Sequence, residues 1–207
     1  MKTILYLLFA GLFVFQNAPA QNRMHYGVKA GGGVSTYEER NRAHSNPNGY
    51  YPVYKWRSSF YGGFCASTTF GKFFFQPELL YSLRGYRYQS STKGTRYGYI
   101  SMPLLIGYKP IKQLGIVAGP ELGYIITARS PFTMSGNSNT VKYIDYRNTI
   151  DLDAGLAWYV TKEISVEGRF VYSIQPLYKA GFDTGGFAYN KDGYNKVIQF
   201  GINYWFR

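Results

Sequence analysis

The chain has 207 residues, a formal charge of +12 and one cysteine, Cys65. A lone cysteine excludes an internal disulfide framework. Past the N-terminal segment no apolar run approaches the 18 or so residues of a membrane-spanning helix, and no amphipathic helical segment of useful length is present.

The first element is an export signal. "MKTILYLLFAGLFVFQNAPAQ" has a short basic start at Lys2, an apolar run Ile4–Phe15 and a polar exit with small residues at Ala18 and Ala20. That pattern predicts cleavage after Ala20, and the apolar run is too short to span a bilayer. Residues 1–20 are therefore expected to be a signal peptide and residues 21–207 one β-barrel domain. Losing Lys2 leaves the mature chain at +11.

Eight strands follow in the mature part. The alternation predicts Tyr26–Thr36, Ser58–Phe70, Phe73–Tyr88, Arg96–Lys109, Leu114–Thr127, Asn148–Val160, Ile164–Leu177 and Tyr194–Phe206. The period is plainest in "YISMPLLIGYKPIKQLGIVAGPELGYII", where Ile100, Met102, Leu104, Ile106 and Tyr108 share one face, and Ile116, Leu122, Tyr124 and Ile126 continue it after a turn. Short connections at Gly71-Lys72, "PIKQ" and "TKE" alternate with long polar loops Tyr37–Arg57, Ala128–Arg147 and Tyr178–Gly193, and with a shorter polar loop Gln89–Thr95. Short turns at one end and long loops at the other are the pattern of an up-and-down antiparallel barrel in the bacterial outer membrane, and an even strand number puts both termini at the short-turn end.

The two faces differ in kind. Outward positions are expected at Phe60, Phe64, Phe73, Leu79, Tyr81, Leu152, Trp158, Val166, Phe170, Phe200, Ile202 and Tyr204, among others. The opposite faces carry Lys29, Glu78, Arg84, Glu121, Asp151, Asp153, Glu167 and Arg169, with many Gly, Ser and Thr. Eight ionisable groups on the core face of a soluble barrel would carry a severe desolvation cost. In a membrane barrel the apolar face meets lipid and the polar face points inward. Closure also satisfies every backbone group. Tyr81, Tyr108, Tyr124, Trp158, Tyr159, Tyr172 and Tyr204 are placed for interfacial aromatic girdles. The fold expected is an all-β, eight-stranded transmembrane barrel.

The segments "FFFQPELLYSLRGY", "YISMPLLIGYK" and "GPELGYII", with the signal and the aromatic last strand, resemble the PorT-like outer-membrane β-barrel proteins of Bacteroidota. The resemblance covers Gln21–Arg207 and implies residence in the outer membrane of a diderm bacterium. It also implies that some relatives assist a protein secretion system. Outer-membrane strands often end on an aromatic residue, whereas here Phe206 is followed by Arg207.

No catalytic residue, metal site or cofactor is expected. His25 precedes the first strand and His44 lies in the first long loop, and none of the hydrolase, metal or phosphate-loop motifs is present. Asp151 and Asp153 share a face and could do acid–base work; the alternative, favoured here, is that they belong to an ionic network. An eight-stranded barrel is just wide enough for side chains to fill, so the eight inward charges are expected to plug the lumen. The predicted outer loops carry +7, with Arg40, Arg42, Lys55, Arg57, Arg87, Lys93, Arg96, Arg129, Lys142 and Arg147. Nucleic acid is excluded as an ordinary partner of an exported barrel. Lipid and the phosphates of lipopolysaccharide are the anionic surface it meets, unless the basic loops only solvate the rim. The Tyr- and Asn-rich loops have the composition of adaptable binding surfaces for another envelope or extracellular protein. The functional expectation is a non-enzymatic barrel with a structural, docking or adhesive role. The alternatives are a secretion accessory, from the resemblance alone, and a lipid A-modifying enzyme.

Overall fold

Strand alternation and Gly-rich inner faces produce a closed antiparallel sheet in the computed structural model of the chain. The structure describes residues 24–40, 53–89, 94–129, 147–177, 182–183, 188–189 and 192–206. The barrel strands are β1 Met24–Arg40, β2 Arg57–Phe70, β3 Phe73–Gly85, β4 Arg96–Ile111, β5 Leu114–Arg129, β6 Asn148–Tyr159, β7 Ile164–Ser173 and β8 Asp192–Trp205. Each pairs with its sequence neighbour, and β8 closes the sheet on β1 from Gly27↔Trp205 to Arg40↔Asp192. The shortest strand, β7, has 10 residues, which meets the roughly 9–11 residues that a tilted strand needs to cross a bilayer. The expected signal peptide and His44 lie outside the described residues.

The short turns lie at the end that holds both termini. Gly71 adopts a φ of 64° in the β2–β3 turn, a left-handed conformation that a residue without Cβ takes at little cost. Between β6 and β7 the Thr161 hydroxyl oxygen accepts the N–H groups of Glu163 at 3.1 Å and Ile164 at 3.0 Å, fixing the turn by local side-chain bonding. In outer-membrane barrels short turns of this kind usually lie at the periplasmic end.

The opposite end differs most from expectation in three strands. The third strand stops at Gly85 instead of Tyr88, and Arg87 and Tyr88 pair instead with Lys55 and Tyr54 in a small second ladder. The seventh stops at Ser173 instead of Leu177; Pro176, which cannot donate to a ladder, follows, and the Leu177 N–H reaches the Gly193 carbonyl at 3.0 Å. The first runs on to Arg40, so the wall rises higher at the β1–β8 seam than the alternation indicates.

The outward face is apolar throughout its middle. Phe60, Phe64, Ile106, Leu156, Phe200 and Ile202 are each more than half exposed, which in a barrel of this kind is lipid contact. Tyr159 is a correction. It was expected in the outer girdle, but it follows the inward parity of Asp151 and Asp153, and its ring lies inside under Lys109 Nζ at 4.1 Å. An aromatic at a strand end can face either way; the strand's parity decides it.

Candidate functional site

Four layers of side chains fill the lumen. The outermost is a cap of Tyr37, Tyr86, Tyr97, Tyr99, Ile125, Ala128 and Leu177, with Tyr54 and Tyr88 packed on it. Tyr37, Tyr54 and Tyr86 meet with ring centroids 4.9–5.0 Å apart, within the range of favourable aromatic contacts. A register shift between Gly98 and Tyr99 leaves Ile126 as an extra residue in β5, because Gly98 pairs with Thr127 and Tyr99 with Ile125. Such a bulge changes the parity of the strand beyond it. Ile125 and Ala128 therefore both face inward, and Arg129 is turned outward.

Beneath the cap lies a cluster built on Arg84 from β3. Its Nη2 bonds Glu121 of β5, its Nη1 donates to Asp151 Oδ2 of β6 at 2.8 Å, and its guanidinium lies 5.0 Å from the Tyr99 ring centroid. Ser173 donates to the other Asp151 oxygen at 2.7 Å, and Asn195 donates to the Tyr99 hydroxyl at 2.7 Å. One cation thus serves two carboxylates.

A second cluster lies nearer the short turns. Lys29 Nζ contacts Glu78 at 2.6 Å and Glu167 at 2.8 Å. Arg169 reaches Asp153 at 2.9 Å, Glu78 at 3.1 Å and Glu167 at 3.3 Å. Neutral donors complete it: Tyr61 to Glu167 at 2.9 Å, Gln76 to Glu78 at 2.7 Å and Asn203 to Glu167 at 3.2 Å. All eight ionisable residues expected in the lumen are 6% exposed or less. The three cations face five carboxylates. Tyr61, Gln76, Ser173, Asn195 and Asn203 were not singled out beforehand; their inward parity was the available signal.

The floor is apolar. Phe74, Leu105 and Val117 pack together, and a Cβ at Gly107 would collide with the Phe74 ring. Glycine at 107 is what lets that ring lie across the barrel. Lys109 Nζ sits over both Tyr159 and Phe74, at 4.1 and 5.1 Å from their centroids. Cys65 is buried and unpaired by any disulfide.

The basic residues of the outer end fall into three sets. Lys55, Arg87, Arg96, Arg129 and Arg147 are exposed and Arg57 is half-buried. Arg40 ends β1 opposite Asp192 in register. Arg42, Lys93 and Lys142 lie outside the described residues. His25 is exposed at the short-turn rim, beside Lys162 and Glu163. Among the described residues no group of three or more His, Cys, Asp or Glu side chains is placed to hold a metal ion.

An eight-stranded closed barrel with an apolar outer face and a polar, filled interior defines an outer-membrane β-barrel protein. Residues 16–179 match the family described as outer membrane protein beta-barrel domain, and the chain belongs to that family. The structure is similar to Neisserial surface protein A, with 12% identity, 87% of this chain and 97% of that chain covered, and a TM-score of 0.55. It is also similar to Ail, the attachment invasion locus protein of Yersinia pestis, with 14% identity, 89% and 99% covered, and a TM-score of 0.49. At such identities the likeness is one of fold. Comparison with curated proteins found no match.

Proposed function

We propose that this protein is a non-enzymatic outer-membrane barrel, closed to solutes, whose outer rim and loops form an interaction surface. The observation that carries the reading is the filled lumen: a tyrosine cap, two ionic layers and an apolar floor lie in series inside one eight-stranded wall. Each lumenal carboxylate has an Arg or Lys partner within the barrel. A carboxylate held this way is poorly placed for general acid–base work, which needs reach to a substrate proton. What is left to meet partners is the long-loop end. The motifs "FFFQPELLYSLRGY" and "GPELGYII" support a PorT-like subgroup within the family, and the N-terminal pattern supports export through a cleaved signal.

Two measurements test this reading. Reconstituted protein in planar bilayers is expected to show no conductance steps, and regular open steps at rest would overturn the closed lumen. Mass analysis of lipid A from outer membranes is expected to be the same with wild type, with an Asp151→Asn/Asp153→Asn variant and without the protein. A lipid A change that depends on those carboxylates would establish an enzyme instead.

A further inference from the structure

The outer end carries a row of cations that the lumen does not use. The structure places Lys55, Arg87, Arg96 and Arg129 on one side of four adjacent strand segments, and alternation fixes the side. Tyr54, Tyr86, Tyr88, Tyr97 and Ala128 all belong to or pack on the inward cap. Lys55, Arg87, Arg96 and Arg129, each next to one of them, therefore face out, and all four are exposed. Arg129 belongs to this side because of the extra residue at Ile126.

The pairing within the row is repulsive. Lys55 lies directly opposite Arg87, and Arg96 directly opposite Arg129. Like charges at opposed positions destabilise a sheet. None of the four has an ion-pair partner among the described residues. On the other wall the contrast is plain: Lys196 of β8 is paired with Glu38 of β1 at 2.8 Å. A fifth cation, Arg57, adjoins the row from the inward side, opposite the buried Ser35. Arg57 is half-buried, and its Nε and Nη1 are shielded from solvent with no hydrogen-bond acceptor among the described residues. The charges acting on it are those of Arg96 and Arg87, both repulsive.

The height of the row selects the anion. Leu83 on β3 and Ile100 on β4 are the nearest outward apolar residues on their strands, with Tyr81 and Tyr124 beside them. Arg87 and Arg96 each lie four residues beyond, about 13 Å along the strand at a rise of ~3.3 Å per residue. With a tilt of about 40°, that is about 10 Å above the apolar belt along the membrane normal. This is the level of lipid headgroups, and the residues face lipid, not the lumen. We infer that the outward face of β2 to β5 at its outer end seats the phosphorylated headgroup of an outer-leaflet glycolipid. Phosphate oxygens would accept from the Arg96/Arg129 and Lys55/Arg87 pairs, converting the repulsion into charge-assisted hydrogen bonds. The inference rests on the proposed orientation with long loops outward.

The test uses the full chain in detergent micelles containing lipid A with both phosphates, or lipid A enzymatically dephosphorylated, with bound lipid read by native mass spectrometry. The phosphorylated form is expected to bind at least about tenfold more tightly. An Arg87→Gln/Arg96→Gln variant is expected to lose that preference, and a Lys72→Gln/Lys112→Gln variant at the periplasmic turns to keep it. Equal binding of the two lipids, or an unchanged preference in the Arg87/Arg96 variant, overturns the site. Displacement by inorganic phosphate at the lipid's own concentration overturns the lipid as the occupant in favour of a soluble anion. Heat-dependent gel mobility of each sample reports separately on the barrel, so failure of the fold is not mistaken for failure of the site. The comparison of the two lipids on wild-type protein needs no variant to fold.

Discussion

The two ionic layers of the lumen carry the same surplus charge and are wired differently. In the outer layer one cation, Arg84, faces Glu121 and Asp151. In the inner layer Lys29 and Arg169 face Glu78, Glu167 and Asp153. Each layer therefore has one carboxylate more than it has cations. The outer layer is a hub: both carboxylates depend on one guanidinium. The inner layer is shared: Glu78 and Glu167 each touch both cations, and only Asp153 depends on one. The number of buried ion pairs is a poor guide to stability, because desolvation offsets much of the attraction. What the comparison teaches is that the consequence of losing a cation depends on how many carboxylates it leaves alone.

The largest effect is expected at the hub. Arg84→Met leaves two buried carboxylates without a cation, and breaking a buried pair from one side costs about 3–5 kcal/mol. The urea midpoint of refolded protein, read as loss of the compact gel band, should fall accordingly. Adding Glu121→Gln and Asp151→Asn should recover most of the loss, since no stranded charge remains. If the triple variant is as unstable as the single one, the cost comes from lost packing against Tyr99 and not from charge. Arg169→Met comes next. It strands only Asp153, while Lys29 still holds Glu78 and Glu167, so the loss should fall near the lower end of that range, about 3 kcal/mol. Asp153→Asn in the same chain should bring it back further than Glu78→Gln does.

The alternation of the sequence was enough to place the eight strands and to put all eight charges on the inward face, because side-chain period in a strand is two and lipid enforces the outer half of the pattern. It was not enough to say which charge meets which. Arg84 on β3 bonds Glu121 on β5, across the intervening β4. That reach depends on the shear of the whole barrel, which no single strand encodes. Local parity also failed where the register slips. The extra residue at Ile126 turns Arg129 from an inward position to an outward one, and an uninterrupted reading of β5 misses it. The inward apolar layers were hidden for a related reason. Phe74, Leu105 and Val117 sit at inward positions on three strands, but their meeting across the lumen is a property of closure.

The smallest loss is expected for Lys29→Met, and it is the sharpest check on the shared layer. Without Lys29, Glu78 keeps Arg169 at 3.1 Å and Gln76 at 2.7 Å. Glu167 keeps Arg169 at 3.3 Å, Tyr61 at 2.9 Å and Asn203 at 3.2 Å. No carboxylate is left without a cation, so the cost is that of charge-assisted hydrogen bonds alone, about 1.5–3 kcal/mol. The urea midpoints should therefore rank Lys29→Met above Arg169→Met and Arg169→Met above Arg84→Met. A Lys29 variant less stable than the Arg169 variant would make Lys29 the hub of the inner layer. The two layers would then share one design, a central cation with dependent carboxylates, and sharing would no longer distinguish them.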